Sequence, residues 1–362
     1  MRVRLIASLC AVVLVSVVAQ GRQSTHLNPM VELLKANKPM FGLGLPTAGR
    51  AGGGRAGGGT GGGRAGGGAA GTVGGGMTGA SVQTPRPAPT APATPPKTPA
   101  ELAADAIAHQ ESDWFFTAAM ERNIDAGETM VTAFQDAMAA AGPVGGSPRR
   151  LLAPINSKAP NITSPGNAQP SDYINNLSRQ LNAGVSVISF VEVDTAEELK
   201  MGINALRFAS KGGTRPENVG NAPKYWGLSE ADYRRKADVW PLNPEGEIVV
   251  WAIIESKEGL ANIKEIAQVP GLSVIAAGAG TLGGVFSTTG ADGRRVRDDA
   301  AWEGAIQTIL ATCKEFKKPC AYPVSETDIE TRMQQGFSVG ILQSFNDAAF
   351  RAVAKGRALG GR

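Results

Sequence analysis

The stretch IVVWAIIESKEGLANIKEIAQVPGLSVIAAGAGTLGG, residues Ile248–Gly284, decides how the rest of the chain is read. It opens with seven consecutive apolar residues, passes through an amphipathic segment, returns to an apolar run at Leu272–Ala277 and closes on a glycine-rich turn. Apolar runs of that length, bounded by turn residues, suit strands covered on both faces, as in a parallel sheet. VSVISF at Val185–Phe190 has the same character. Glu255 stands immediately after the first of the two strands, and the turn Gly278–Gly284 immediately after the second.

Working outward, the alternation continues. Strands are expected at Pro39–Leu45, Trp114–Ala118, Leu151–Ile155, Val185–Phe190, Ile248–Ile254, Leu272–Ala277, Pro319–Val324 and Phe337–Leu342. Helices are expected at Ala100–His109, Asp125–Ala140, Ser171–Ala183, Ala196–Ala209, Gly259–Ala267, Asp299–Phe316, Glu326–Gln335 and Asn346–Gly356. Thr98 with Glu101, and Asp194 or Thr195 with Glu198, have the spacing of N-terminal capping boxes. Eight strand–helix units in roughly 280 foldable residues predict an α/β fold, a closed (β/α)8 TIM barrel. A doubly wound open sheet is the alternative, and no strand–GxGxxG–helix fingerprint supports it.

The 362 residues include 47 Gly and 23 Pro, concentrated between the first strand and the next helix. Between Gly52 and Gly76, 16 of 25 residues are Gly, and from Pro85 to Pro99 seven of 15 are Pro. Such a segment buries almost nothing, so residues 47–98 read as a disordered insertion between a first helix and strand at 28–46 and the rest of the barrel at 99–362. Two or three arginines without interleaved aromatics make nucleic-acid binding a poor reading of it. Residues 1–19, basic then apolar, read as a signal peptide, with an uncleaved anchor as the alternative. After its removal no membrane span is expected, and the mature protein is placed in the periplasm or outside the cell. The net charge of +4 would then fall to about +2, which does not suggest a polyanionic partner. Cys313 and Cys320 pair in a disulfide or remain two structural thiols. With His26 and His109 as the two histidines, no Cys/His metal cluster is available.

Barrels of this type carry their chemistry at the C-terminal ends of the strands. The groups falling there are Glu121 and Arg122, Glu192 and Asp194, Glu255 with Ser256, the loop 278–284, Ser325 and Gln343.

Several of these stretches resemble the HpcH/HpaI aldolase family: NPMVELLKANKPMFGLGL (Asn28–Leu45), TPAELAADAIAHQESDWFF (Thr98–Phe116), LNAGVSVISFVEVDTAEELKMGINALRF (Leu181–Phe208) and IIESKEGLANIKEIAQVPGLSVIAAGAGTLGG (Ile253–Gly284). The resemblance implies a barrel of the pyruvate-kinase-like type and a metal-dependent, pyruvate-type carbon–carbon lyase acting on a small 2-oxo acid. It also implies a homo-oligomer. In that family a Glu after strand five and an Asp after strand six hold Mg2+ or Mn2+, which stabilises an enolate. Glu255 matches the Glu, whereas Thr281 stands where the Asp is expected. The backbone of Gly278, Gly280 and Thr281 matches the loop that receives the substrate carboxylate. The family's His after strand two falls at Glu121 or Arg122, and the Arg ending strand three falls at Leu152, with Arg149 and Arg150 just upstream.

Each position also has a plainer reading. Glu255 could pair with Lys257, Glu121 and Arg122 could form a rim ion pair, and the glycine turn could be only a tight connection. His109 and His26 read as packing or surface groups, Trp226, Trp240 and Trp251 as core or interface, Trp302 as an interface residue, and Lys211–Lys236 as a solvated loop near the substrate entrance. The expected function is a carbon–carbon lyase with Glu121 as base. The alternative is a barrel that has lost catalysis and binds a small carboxylate or a protein partner.

Overall fold

A computed structural model describes residues 26–47, 95–109, 111–142, 154–162, 170–291 and 293–362. The signal-peptide segment, residues 48–94 of the insertion, and Arg149, Arg150 and Leu152 lie outside them.

Eight parallel strands close on themselves: β1 (Met40–Gly44), β2 (Trp114–Thr117), β3 (Ile155–Ala159), β4 (Val187–Phe190), β5 (Ile248–Ile254), β6 (Val274–Ala277), β7 (Cys320–Pro323) and β8 (Val339–Leu342). β8 pairs with β1 through Met40 and Val339, and β4 with β5 through Val187 and Val249, so the expected barrel is formed. Alternation along each strand divides the side chains into two cores. Ile248, Val250, Ala252 and Ile254 of β5 face the surrounding helices, while Val249, Trp251 and Ile253 face the barrel axis. Trp114 and Trp251 meet edge to face there, ring centroids 5.4 Å apart, and Gly42 leaves the room Trp114 occupies. Beneath them the helix Pro29–Lys35 closes the N-terminal end with Met30, Val31 and Leu34.

Both capping boxes form, with Thr98 and Thr195 as the caps. Cys313 and Cys320, both buried, are joined in a disulfide that ties the helix Asp299–Glu315 to β7. His109 stacks on Phe350, as a packing histidine should, and His26 is buried beside Glu247. No helix among the described residues is long and apolar enough to cross a membrane.

Three expectations are corrected. The third strand is Ile155–Ala159, not Leu151–Ile155: its inward residues Asn156 and Lys158 are polar, so its apolar signal is weaker than that of the upstream run. The segment Lys211–Lys236 is not a solvated loop at the entrance. It contributes buried Arg215, Trp226 and Tyr233 and packs at the opposite end, where the Trp226 indole N–H donates to the Gly184 carbonyl just before β4 (3.0 Å). Its tertiary contacts, not its composition, give it a fold. Finally, the expected helix Gly259–Ala267 is two, Lys257–Ala261 and Ile263–Ala267, broken where the Asn262 side chain donates to the Asp194 carbonyl (2.8 Å).

Candidate functional site

Glu255 follows β5 in the same alternation as Val249, Trp251 and Ile253, which turns its side chain inward, and it is buried. One carboxylate oxygen, Oε1, accepts the Glu192 backbone N–H (3.1 Å). Glu192 sits after β4 at φ +46°, a left-handed conformation that costs a residue with a Cβ about 1 kcal/mol or more. That backbone turn aims the N–H at Glu255, while the Glu192 carboxylate accepts from the Asn161 side chain (2.8 Å). On the other side, Gly278 packs directly against Glu255.

The glycine turn runs into the helix Ala279–Val285. Gly280 and Thr281 are exposed, and a Cβ built on Gly280 would meet nothing within 4 Å. Their N–H groups belong to the first turn, where no intrahelical acceptor lies within reach. The turn is held from behind by Trp302, whose indole N–H donates to the Ala279 carbonyl (2.9 Å) while the Arg297 guanidinium stacks on its ring (4.2 Å). Trp302 is thus a support for the site, a role its isolated position in the sequence does not signal.

Glu121 lies on the short helix Ala119–Arg122 after β2, half-buried, with Oε2 at 4.0 Å from Lys158 Nζ. The side chain of Arg122 is outside the described residues. Lys158, missed by sequence reading, is the penultimate residue of β3, faces inward and is followed by Ala159-Pro160. Leu152, matched to the family's strand-three arginine, lies outside the described residues, and the cation that β3 itself carries is Lys158. The signal was present as a cation two residues before a proline, but the misplaced strand hid it.

Asp194 and Ser256 bond to each other, and Ser256 caps the helix Lys257–Ala261 through the Gly259 N–H (2.8 Å), so both are structural. The rim therefore carries two groups of contacts, Glu121 with Lys158, and Asn161 through Glu192 to Glu255 and Gly278.

This donor set does not make a dedicated divalent-metal site. Mg2+ and Mn2+ want anionic oxygens, yet Glu255 spends one oxygen on an N–H, Glu192 turns its carboxylate to Asn161, and position 281 offers a neutral hydroxyl. Among the described residues no group of three or more His, Cys, Asp or Glu side chains is placed to hold a metal ion.

Residues 166–328 match the family model of HpcH/HpaI aldolase/citrate lyase. Among solved structures, an HpcH/HpaI aldolase/citrate lyase family protein from Burkholderia cenocepacia J2315 superposes with a TM-score of 0.57 at 17% identity, covering 92% of this chain and 98% of its own. An HpcH/HpaI aldolase from Desulfitobacterium hafniense DCB-2 gives a TM-score of 0.48 at 14% identity, covering 72% and 87%. The first of these shows the shared barrel. No curated protein matches the sequence.

Proposed function

We propose, from the premise that residues 166–328 form an HpcH/HpaI aldolase/citrate lyase domain, that this chain is a carbon–carbon lyase acting on a small 2-oxo acid bearing a hydroxyl two carbons from the oxo carbon. The observation that carries it is the buried, inward-facing Glu255, fixed by a strained Glu192 on one side and Gly278 on the other. A barrel that needed only a tight turn would have no use for a buried carboxylate at its mouth, since burying a charge costs several kcal/mol unless it is well partnered.

In this reading the exposed N–H groups of Gly280 and Thr281 receive the substrate carboxylate. Glu121 removes the hydroxyl proton whose loss breaks the carbon–carbon bond. Lys158 supplies positive charge at the same rim. The metal-stabilised enolate that the resemblance implies has too few anionic ligands here, and no step is routed through it. The N-terminal pattern of residues 1–19 supports export, which cell fractionation with N-terminal sequencing of the mature protein tests.

The test is exchange of pyruvate methyl protons in D2O, followed by NMR, for the wild type and Glu255→Ala, with and without Mg2+ or Mn2+. Exchange in the wild type and its loss in the variant are expected. No exchange under any condition overturns the reading. The alternative, a barrel that only binds a small carboxylate, is favoured by Thr281 in place of an acidic residue; calorimetric binding of pyruvate without exchange would establish it.

A further inference from the structure

We infer that Lys158 forms an imine with the substrate's oxo carbon, so that an iminium rather than a metal ion takes up the electrons of the breaking bond. The inference rests on the lyase reading above. A retro-aldol cleavage of a 2-oxo acid needs an electron sink at that carbon, and chemistry offers two: a Lewis acid on the oxygen, or conversion of the carbonyl to an iminium by a primary amine. The donor set around Glu255 and Thr281 is poor for the first. The rim provides the second.

Asn156 and Lys158 lie on the inward side of β3, while Ile155 and Ala159 pack outward against the helices. Asn156 Oδ1 accepts the Ser189 hydroxyl (2.7 Å) inside the barrel, and Ser189 stands beside Lys158 in register on β4. From the outer side the Gln180 side chain donates to the Lys158 carbonyl (3.2 Å), which fixes the strand end that carries the amine. The side chain keeps 24% exposure. Guanidinium cannot form an imine, whereas a primary amine in this position can. Glu121, whose Oε2 lies 4.0 Å from Nζ, carries the protons once the two side chains close to hydrogen-bond distance.

The sequence of bonds balances without an oxidant. The Lys158 ammonium passes a proton to the Glu121 carboxylate, and the neutral amine adds to the oxo carbon to give a carbinolamine. Glu121 returns the proton to the carbinolamine hydroxyl, which leaves as water, and the iminium remains. Glu121, again a carboxylate, takes the substrate's hydroxyl proton; the carbon–carbon bond breaks, an aldehyde departs, and the released electron pair forms an enamine. The enamine carbon takes the proton back from Glu121, and water hydrolyses the iminium to release pyruvate and the free lysine.

The experiment treats the full-length protein with pyruvate and sodium borohydride, maps modified lysines by peptide mass spectrometry, and measures pyruvate proton exchange in parallel with and without EDTA. Expected are a carboxyethyl adduct concentrated on Lys158, no adduct without pyruvate, exchange that survives EDTA, and loss of both adduct and exchange in Lys158→Arg with an unchanged circular dichroism spectrum. Exchange without an adduct on Lys158, or exchange abolished by EDTA, overturns the inference and leaves the lyase reading standing. Neither exchange nor adduct overturns both.

Discussion

Gly278 and Glu255 are in van der Waals contact across the ends of β6 and β5, so that a Cβ added to Gly278 would stand 2.3 Å from the Glu255 Cβ and 2.8 Å from its Oε2. The glycine is there because the neighbouring side chain needs its space. Gly278→Ala must therefore displace Glu255, with about 1–3 kcal/mol lost in stability and loss of pyruvate exchange. Gly280→Ala, two residues on, enters open space and should leave stability within about 0.5 kcal/mol of the wild type while weakening the binding of a small carboxylate. Denaturant unfolding and calorimetric titration of the two variants check this. Equal effects would show that the turn is not an approach path for ligand.

A similar contact holds the barrel interior. A Cβ at Gly42 would lie 2.1 Å from the Trp114 indole, which itself packs on Trp251. Gly42→Ala should cost about 3 kcal/mol or more, since neither backbone nor a ring locked among β-strands can yield. Trp114→Phe in the same background should recover part of the loss, because the smaller ring frees the space. A double-mutant cycle by urea unfolding measures that coupling.

Asp238, buried two residues after the helix Glu230–Lys236, accepts from Arg207 Nε (2.8 Å), the Val239 N–H (2.9 Å) and the Asn243 side chain (3.2 Å). Burial alone pushes its carboxyl up, but Arg207 and the other donors together outweigh burial and hold it below its ordinary value of 3.8. A carboxyl depressed in the folded state contributes stability above its unfolded value, and that contribution fades as pH falls through the folded one. Wild-type stability should therefore decline below about pH 4 partly through this group. Asp238→Asn should cost about 2–3 kcal/mol at pH 7 and flatten that part of the acid limb. Chemical unfolding from pH 7 to pH 3 follows both.

The Cys313–Cys320 bridge closes a short loop, seven residues in sequence separation. On chain-entropy grounds its removal costs about 2–3 kcal/mol. Reduction of the wild type, or Cys320→Ser, should lower the unfolding midpoint accordingly, and the reduced Cys320→Ser protein should not shift further when reductant is added.

The barrel was legible because a sheet covered on both faces must be built from apolar residues, and runs such as IVVWAII leave little else for the chain to do. The same logic located Glu255, since a charge that ends such a strand can only stand at its mouth. β3 escaped because two of its inward positions are polar, and Lys158 escaped with it. That Glu255 is anchored by a backbone N–H, that the N–H points there only through a positive φ at Glu192, and that Lys158 meets Glu121 were decided by tertiary structure. These relations depend on angles and on approaches between strands far apart in the chain. Hydrophobic pattern, which reports only which faces are buried, carries no trace of them.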